Sequence, residues 1–268
     1  MKPLFTIITV CYNSEKTIVR TIESILYQNY EDYEYIIVDG NSKDNTLEII
    51  NKYKNKFKGK LIVISEPDNG IYNAMNKGIN VANGEWINFL NSDDWFEPNV
   101  FSKVEKAIFE NKNADCIYGD VRKILNFNNK FYSKIERAKT NLKELEKGMI
   151  FSHQSLFVRK SVFEKIGGFD ETFKIAADWD FILRMYTRNM KFIYIPEIIA
   201  NFTIGGIGST PHIRERHKVR KKNGVVNGID IYYLKEIRHY IKNLIINRFF
   251  INYSLKRKLD GFEPMDFG

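Results

Sequence analysis

Four short apolar runs, at residues 4–10, 35–38, 61–64 and 86–90, alternate with stretches whose apolar side chains recur every three or four residues. Runs of that length read as buried strands and the stretches between them as helices, so the first 120 residues form βαβ units around a mostly parallel sheet. Ile18, Ile22, Ile25 and Leu26 share one face of the first helix, with Ser14 as its expected cap. Asp44 opens a second helix carrying Leu47, Ile50 and Tyr53, and residues 72–81 make a third. A polar cluster follows each strand: Cys11-Tyr12-Asn13, Asp39-Gly40-Asn41-Ser42, Glu66-Pro67-Asp68-Asn69-Gly70 and Asn91-Ser92-Asp93-Asp94. Any one of these is ordinary turn chemistry. Four in register along the carboxyl edge of an open α/β sheet mark the edge where ligands bind.

The fourth cluster bears most directly on chemistry. A carboxylate where a buried strand runs out can hold a hard divalent cation, which takes oxygen ligands and bridges to phosphates. For either aspartate the alternative is a cap on the following turn, ahead of Pro98.

Residues 121–209 are less regular. His153-Gln154 precedes a short strand at 156–158, then come a short helix closed by Gly167-Gly168 and a second helix headed by Asp178-Trp179-Asp180. Beyond residue 210 the chain turns basic. Residues 210–258 hold 13 Lys and Arg against three acids, so this segment accounts for the net charge of +8 and the rest is close to neutral. Leu234, Ile237, Tyr240, Ile241, Leu244 and Ile245 share one arc of a helical wheel, with Lys235, Arg238 and Lys242 beside it. Arg248 falls on the apolar arc, where an interruption of the helix is expected. Nucleic acid and an anionic membrane are both candidate partners for such a tail, but no nucleic-acid recognition motif accompanies it. Two distant cysteines, Cys11 and Cys116, suit a reducing compartment. The apolar start is too short and too Thr-rich for a signal peptide, and no run is long enough to span a bilayer. The expected location is cytoplasmic.

Six stretches in order resemble one known family: TIITVCYNSEKTIVRTIESILYQ (6–28), YIIVDGNSKDNT (35–46), SEPDNGIYNAMNKGI (65–79), WINFLNSDDWF (86–96), HQSLFVRKSVFEKIGGFDE (153–171) and ADWDFILRM (177–185). Together they resemble the family 2 glycosyltransferases, especially bacterial enzymes of capsule, O-antigen and exopolysaccharide assembly. The resemblance implies a GT-A fold: a Rossmann-like, mixed and mainly parallel sheet flanked by helices, here with a basic helical extension at the C-terminus. The implied domain is 1–209, with 1–120 as the nucleotide-binding half and 121–209 as the acceptor half. Residues 210–268 then form a basic amphipathic tail.

That resemblance puts the base and ribose of a nucleoside-diphosphate sugar, with UDP favoured, against Thr9, Tyr12, Asn13 and Asp39. Asp68 and Lys77 flank a helix start that favours anionic ligand groups. Ser92 and Asp93 match the metal-binding motif, with Asp93 in the place of its final aspartate and Mn²⁺ or Mg²⁺ as the implied cofactor. Asn91 stands where an aspartate is usual and supplies no charge. Asp178 matches the general base, although Ala177 replaces the usual glutamate before it; an N-cap role is the alternative. His153 and Trp179 are the candidate acceptor contacts, the acceptor being a glycan or lipid-linked oligosaccharide. Residues 205–209 resemble a loop that closes over the donor, and residues 210–258 a peripheral contact with the inner face of the cell membrane. The implied reaction inverts the anomeric carbon, with no covalent intermediate. Two alternatives compete. A nucleotidyltransferase would carry a Gly- and Arg-rich loop after the first strand, and Cys11-Tyr12-Asn13-Ser14 is not one. A non-catalytic nucleotide-sugar-binding protein would explain Asn91 and Ala177.

Overall fold

The structure is a computed structural model that describes residues 2–128, 130–205, 212–249 and 260–265. Its first strand, β1 (Phe5–Cys11), is buried throughout, and its side chains alternate between two apolar layers, Ile8 and Val10 facing one and Phe5, Ile7 and Cys11 the other. From β1 the chain runs through α1 (Ile18–Leu26), β2 (Tyr33–Asp39), α2 (Thr46–Tyr53), β3 (Leu61–Ser65), α3 (Ile71–Val81) and β4 (Trp86–Phe89). After β5 (Trp95–Phe96) and α4 (Val100–Glu110) come the long strand β6 (Cys116–Phe127), β7 (Lys130–Glu136) and β8 (Leu156–Arg159). The remaining elements are α5 (Lys160–Ile166), α6 (Ala177–Thr187), β9 (Phe192–Thr203), α7 (Ile213–Lys222), α8 (Ile231–Phe249) and β10 (Glu263–Met265).

The sheet order is β10-β7-β6-β8-β4-β1-β2-β3, with β9 pairing both β5 and β6. β3, β2, β1 and β4 are mutually parallel, as the βαβ pattern requires. β8 joins β4 antiparallel, and β6, β7 and β10 continue antiparallel from it. Because β4 returns on the far side of β1 from β2, the winding reverses between β1 and β4. That reversal opens a crevice at the carboxyl ends of the two strands. The helices divide between the layers by their apolar faces: α1, α2 and α4 pack on one side of the sheet, α3, α5 and α6 on the other.

Two local expectations need correction. Ser14 does not cap α1 with its side chain; its carbonyl closes the turn by accepting from Thr17 N and Ile18 N. Its hydroxyl points instead to Ser92, Oγ to Oγ 2.9 Å. The α8 backbone runs unbroken past Arg248 to Phe249. Arginine is a good helix former, and a charge on the apolar arc does not remove a backbone hydrogen bond. Leu244, Ile245 and the other side chains of 241–249, residues 206–211 of the expected closing loop, and residues 250–259 of the tail lie outside the described residues.

The tail segment packs on the domain through its charges. Lys222 of α7 pairs with Asp170 at 2.7 Å and with Asp180 of α6 at 2.9 Å. Arg220 is fully buried between Asp230, at 2.8 Å, and Glu236 of α8, at 3.2 Å. No described helix is long and apolar enough to cross a membrane.

The entry to β4 is held by a buried cluster. Glu34 accepts from Thr6 Oγ1 at 2.6 Å and from Gly84 N at 3.1 Å, while Gly84 N also donates to Thr6 Oγ1 at 2.8 Å. A Cβ on Gly84 would lie 2.5 Å from Thr6 N and 2.7 Å from Phe5 C, both backbone atoms that cannot move aside alone. Gly84→Ala is therefore expected to cost roughly 1–3 kcal/mol, as overpacking does, and to lower the melting temperature by several degrees. A thermal scan matching that of the wild type would contradict this account of the β1–β4 junction.

Candidate active site

The crevice is built by loops that leave the carboxyl ends of the parallel strands. Asn13 follows β1 in a left-handed conformation, φ 50°. There its N–H donates to Ser42 Oγ at 2.8 Å, and its Oδ1 accepts from Lys43 N at 2.8 Å, locking the loops after β1 and β2 together. Tyr12 beside it is 59% exposed, an aromatic face offered at the sheet edge. Asp39 ends β2 opposite Cys11 and is fully buried. It accepts from Ser42 N at 3.2 Å, from Ser42 Oγ, and from Ser65 Oγ at 2.7 Å. Burial, with the Asp39 carboxylate second, pushes the Cys11 thiol well up, so this cysteine offers no thiolate. At Gly40 a Cβ would stand 2.4 Å from Asp68 Oδ2 and 3.4 Å from the Tyr12 ring. Only glycine lets Tyr12 and Asp68 close on one slot. Asp68 Oδ1 also accepts from Gly70 N at 2.9 Å, just ahead of α3.

Residues 91–94 cross the crevice after β4. Ser92 is tied to Ser14, which fastens this loop to the one after β1. Asp93 is half-buried and its side chain accepts no hydrogen bond from the described residues; burial raises its pKa. Asp94 turns inward and is 1% exposed. Its two oxygens accept from Thr203 N and Gln154 Nε2, each at 2.8 Å, and its carbonyl accepts from Thr21 Oγ1 at 2.7 Å. Its pKa is pushed up to about 7, first by burial and then by the Asp93 charge. Asp94 is thus a buried tie between elements; the sequence-level idea of a surface turn cap does not hold.

Across the crevice, Asp178 sits in the first turn of α6. Oδ1 accepts from its neighbour Trp179 N at 2.8 Å; Tyr72 OH of α3 lies 3.2 Å from it, but its one proton has a nearer acceptor in Ile175 O at 2.5 Å. Burial and the Asp178 charge push the Tyr72 phenol up, so it remains a donor. Oδ2 faces His153 Nδ1 at 3.4 Å, and the far nitrogen of that ring lies 3.4 Å from Asn91 Nδ2. Asp178 and His153 share an apolar cavity of about 20 Å³ walled by Phe89, Phe163, Phe169 and Phe181. Glu215 of α7 accepts from Lys174 N, Ile175 N and Ala176 N, at 2.9, 3.0 and 3.0 Å. The amides that open α6 are therefore capped from another helix.

The crevice thus brings together Tyr12, Asn13, Asp68, Ser92, Asp93, His153 and Asp178. Four residues named from the sequence are placed otherwise, among them Asp39, fully buried with its carboxylate taken by Ser42 and Ser65. Thr9 is fully buried and accepts from Tyr35 OH at 3.1 Å, because it points into the layer beneath the sheet edge. Trp179 is 3% exposed, its Nε1 donates to Leu145 O at 2.8 Å, and the guanidiniums of Arg216 and Arg220 cover its ring; it offers no face to an acceptor. Lys77 is engaged by Glu66 at 2.9 Å and Pro67 O at 2.7 Å, so its charge braces the loop after β3. Sequence reasoning missed Gln154, Thr203, Tyr72 and Glu215, whose partners lie between 39 and 109 positions away. Gln154, beside His153, and Tyr72, within 65–79, stood in stretches already singled out.

Among the described residues no three His, Cys, Asp or Glu side chains converge on one point as a metal cage. Of the two acids at 93 and 94, Asp93 is the one whose side chain accepts no hydrogen bond from another described residue, since both Asp94 oxygens are taken. That donor set fits Mg²⁺ or Mn²⁺ carried largely by substrate phosphates, which such cations accept as partners beside one or two carboxylates.

Comparison with known proteins follows the same lines. The model of glycosyl transferase family 2 matches residues 6–167. A PGL/p-HBAD biosynthesis glycosyltransferase of Mycobacterium bovis is 31% identical over 214 residues, covering 78% of this chain and 80% of that protein. Among solved structures, S. aureus TarS residues 1–349 in complex with UDP-GlcNAc superposes with a TM-score of 0.66 at 21% identity, covering 92% of this chain and 73% of that one. A mannosyltransferase from Pyrobaculum calidifontis in complex with GDP-Man and Mn²⁺ gives 0.63 at 17% identity, covering 89% and 69%. Both structural likenesses speak to the fold.

The raised Asp94 pKa has a thermodynamic consequence. A carboxyl whose folded value, about 7, lies above its ordinary value of 3.8 keeps its proton longer in the folded chain. Its favourable contribution is complete below about pH 4 and is lost as pH rises through about 7. Asp94→Asn keeps an acceptor for Thr203 N and cannot ionise. Between pH 4 and 8 the wild type should lose several degrees of melting temperature relative to Asp94→Asn. Parallel pH profiles for the two proteins would refute the buried tie.

Proposed function

Because the chain belongs to glycosyl transferase family 2, we propose that it transfers a sugar from a nucleoside-diphosphate sugar to a hydroxyl of a glycan acceptor, with inversion at the anomeric carbon. The observation that carries the reading is the pairing of two carboxylates in different roles across one crevice. In this reading Asp93, half-buried and with no hydrogen bond to its side chain from another described residue, meets the phosphates, and Asp178, held by Trp179 N and facing His153, takes the proton. Tyr12 and the slot over Gly40 suit a base and ribose at the other end.

The chemistry is a single displacement. The acceptor oxygen attacks the anomeric carbon from the face opposite the diphosphate while Asp178 takes the hydroxyl proton. The bond from the anomeric carbon to the phosphate oxygen breaks, and the nucleoside diphosphate departs with its electron pair. A divalent cation bound by Asp93 and the phosphate oxygens would supply positive charge where the leaving group gains negative charge. Asn13 and Ser92 hold the crevice loops in register, and positioning does much of the remaining work. The UDP-GlcNAc and GDP-Man bound in the structural neighbours support a UDP or GDP carrier. A lipid-linked acceptor at the inner membrane face, as in bacterial surface polysaccharide assembly, is supported by α8. Its outer face exposes Ile231, Leu234, Lys235 and Arg238, whereas several basic side chains of α7 are consumed in ion pairs.

A panel of UDP-glucose, UDP-N-acetylglucosamine and GDP-mannose, scored by nucleoside diphosphate release with Mn²⁺ and with EDTA, tests the reading. One donor should be turned over in Mn²⁺ and not in EDTA, and Asp178→Asn should lower its kcat by at least about 100-fold with its KM little changed. Calorimetry on Asp93→Asn should show nucleotide affinity that no longer responds to Mn²⁺. Binding of a nucleotide sugar without any turnover would favour the non-catalytic alternative. For the membrane contact, vesicles containing anionic lipid should sediment the wild type and leave a Lys235→Glu, Arg238→Glu double variant in solution.

A further inference from the structure

The contacts between Asn91, His153 and Asp178 go beyond acceptor binding. We infer that His153 is a positioning residue for the base, and that Asn91 sets the tautomer in which it does so. This rests on the reading of Asp178 as the proton acceptor.

The assignment follows from donors and acceptors. Nδ1 of His153 lies 3.4 Å from Asp178 Oδ2, an ion-pair distance without hydrogen-bond geometry; because an ionised carboxylate only accepts, the proton is assigned to Nδ1. In a neutral imidazole Nε2 is then an acceptor, and what faces it at 3.4 Å is the amide nitrogen of Asn91, a donor. The amide thus matches one tautomer of the neutral ring. A carboxylate at position 91 would instead demand a second ring proton. Among the described residues the ring nitrogen is the partner that faces the Asn91 amide, whose Oδ1 is buried without a hydrogen bond.

The two oxygens of Asp178 are held unequally. Oδ1 has Trp179 N as its donor, with Tyr72 OH beside it turned mainly to Ile175 O, while His153 faces Oδ2. The apolar wall of Phe89, Phe163, Phe169 and Phe181 offers neither oxygen a further partner. His153 therefore decides which lone pair of Oδ2 is turned to the acceptor hydroxyl. Both 3.4 Å contacts are long, as contacts around a base are before substrate closes the site. The loop that carries Asp93 is in this way joined to the base through one ring, so a displaced phosphate-side loop would also displace the base.

Nitrogen-15 spectra of the histidine rings test the tautomer without any substrate. With four histidines in the chain, the His153 signals are identified by their loss in His153→Asn. The wild type should show a neutral ring protonated at Nδ1, and Asn91→Ala should shift it toward the other tautomer. A wild-type ring protonated at Nε2, or at both nitrogens near pH 8, overturns the inference even if turnover is normal. Kinetics with the donor found active supply the second arm. His153→Ala should lower kcat by about 10- to 100-fold with the donor KM within about twofold, the scale of a misplaced catalytic group. His153→Asn, whose amide nitrogen replaces Nδ1, should recover most of that loss, and His153→Gln should not. Adding Asn91→Ala to His153→Asn should cost nothing more, because the link is already gone. Equal rates in all variants, no recovery in His153→Asn, or a change confined to the acceptor KM would each overturn it. If no donor is turned over at all, the proposed function fails and the tautomer result still stands by itself.

Discussion

The Asp94 carboxylate lies inside the protein and is satisfied from two directions, by the side-chain amide of Gln154 and the main-chain N–H of Thr203. An unpaired polar group at such depth costs roughly 1–3 kcal/mol, and a charge more, so neither partner is dispensable. Gln154 precedes β8, Thr203 ends β9, and Thr21 of α1 holds the Asp94 carbonyl. One side chain thus clamps the loop after β4 to three elements that are remote in sequence. Asp93, next to it, is left half-buried and uncommitted. The inward acid holds the loop, and the outward acid is free to meet phosphate or cation.

The adjacent pair His153-Gln154 extends that clamp across the crevice. Gln154 reaches back to Asp94 while His153 reaches forward to Asp178, from a single short turn ahead of β8. Asp178 is held from below as well, since Glu215 binds the amides before α6 and Lys222 of α7 with the following Asn223 binds Asp180. Lys222 pairs with the domain, while Arg216 and Arg220 pair with acids of the tail itself. Trp179, between Asp178 and Asp180, is packed under the guanidiniums of the same helix. Part of what reads as a separate basic tail in the sequence supports the wall behind the base.

Sequence patterns gave the fold and the family more fully than they gave side-chain contacts. Asp93 and Asp178 stand in ordered stretches that resemble family 2, and both line the crevice. Tyr12 and Asp68 were legible because they follow strands at the carboxyl edge. Thr9 was misjudged because both faces of β1 are covered, and Trp179 because nothing near it in sequence shows that Leu145 and the arginines of α7 pack over it. Ser14 was read as a cap because a serine ahead of an apolar face usually is one, and nothing local announces a hydroxyl partner at position 92. The interruption expected at Arg248 overweighted one charge against a backbone that has no reason to break.

Local order along the chain was enough to determine the βαβ half, the two-layer alternation of β1, the carboxyl edge as the binding edge and the family. Strand and helix periods, turn residues and short motifs are properties of neighbours in sequence, and they survive without the fold. Which acid of residues 91–94 turns inward, which nitrogen of His153 meets Asp178, and how the α7 charges are neutralised belong to contacts that span tens of residues. Those contacts exist only once β8, β9 and α7 have packed against the parallel strands. Burial then makes them obligatory, because a polar group removed from water must find its partner in the protein.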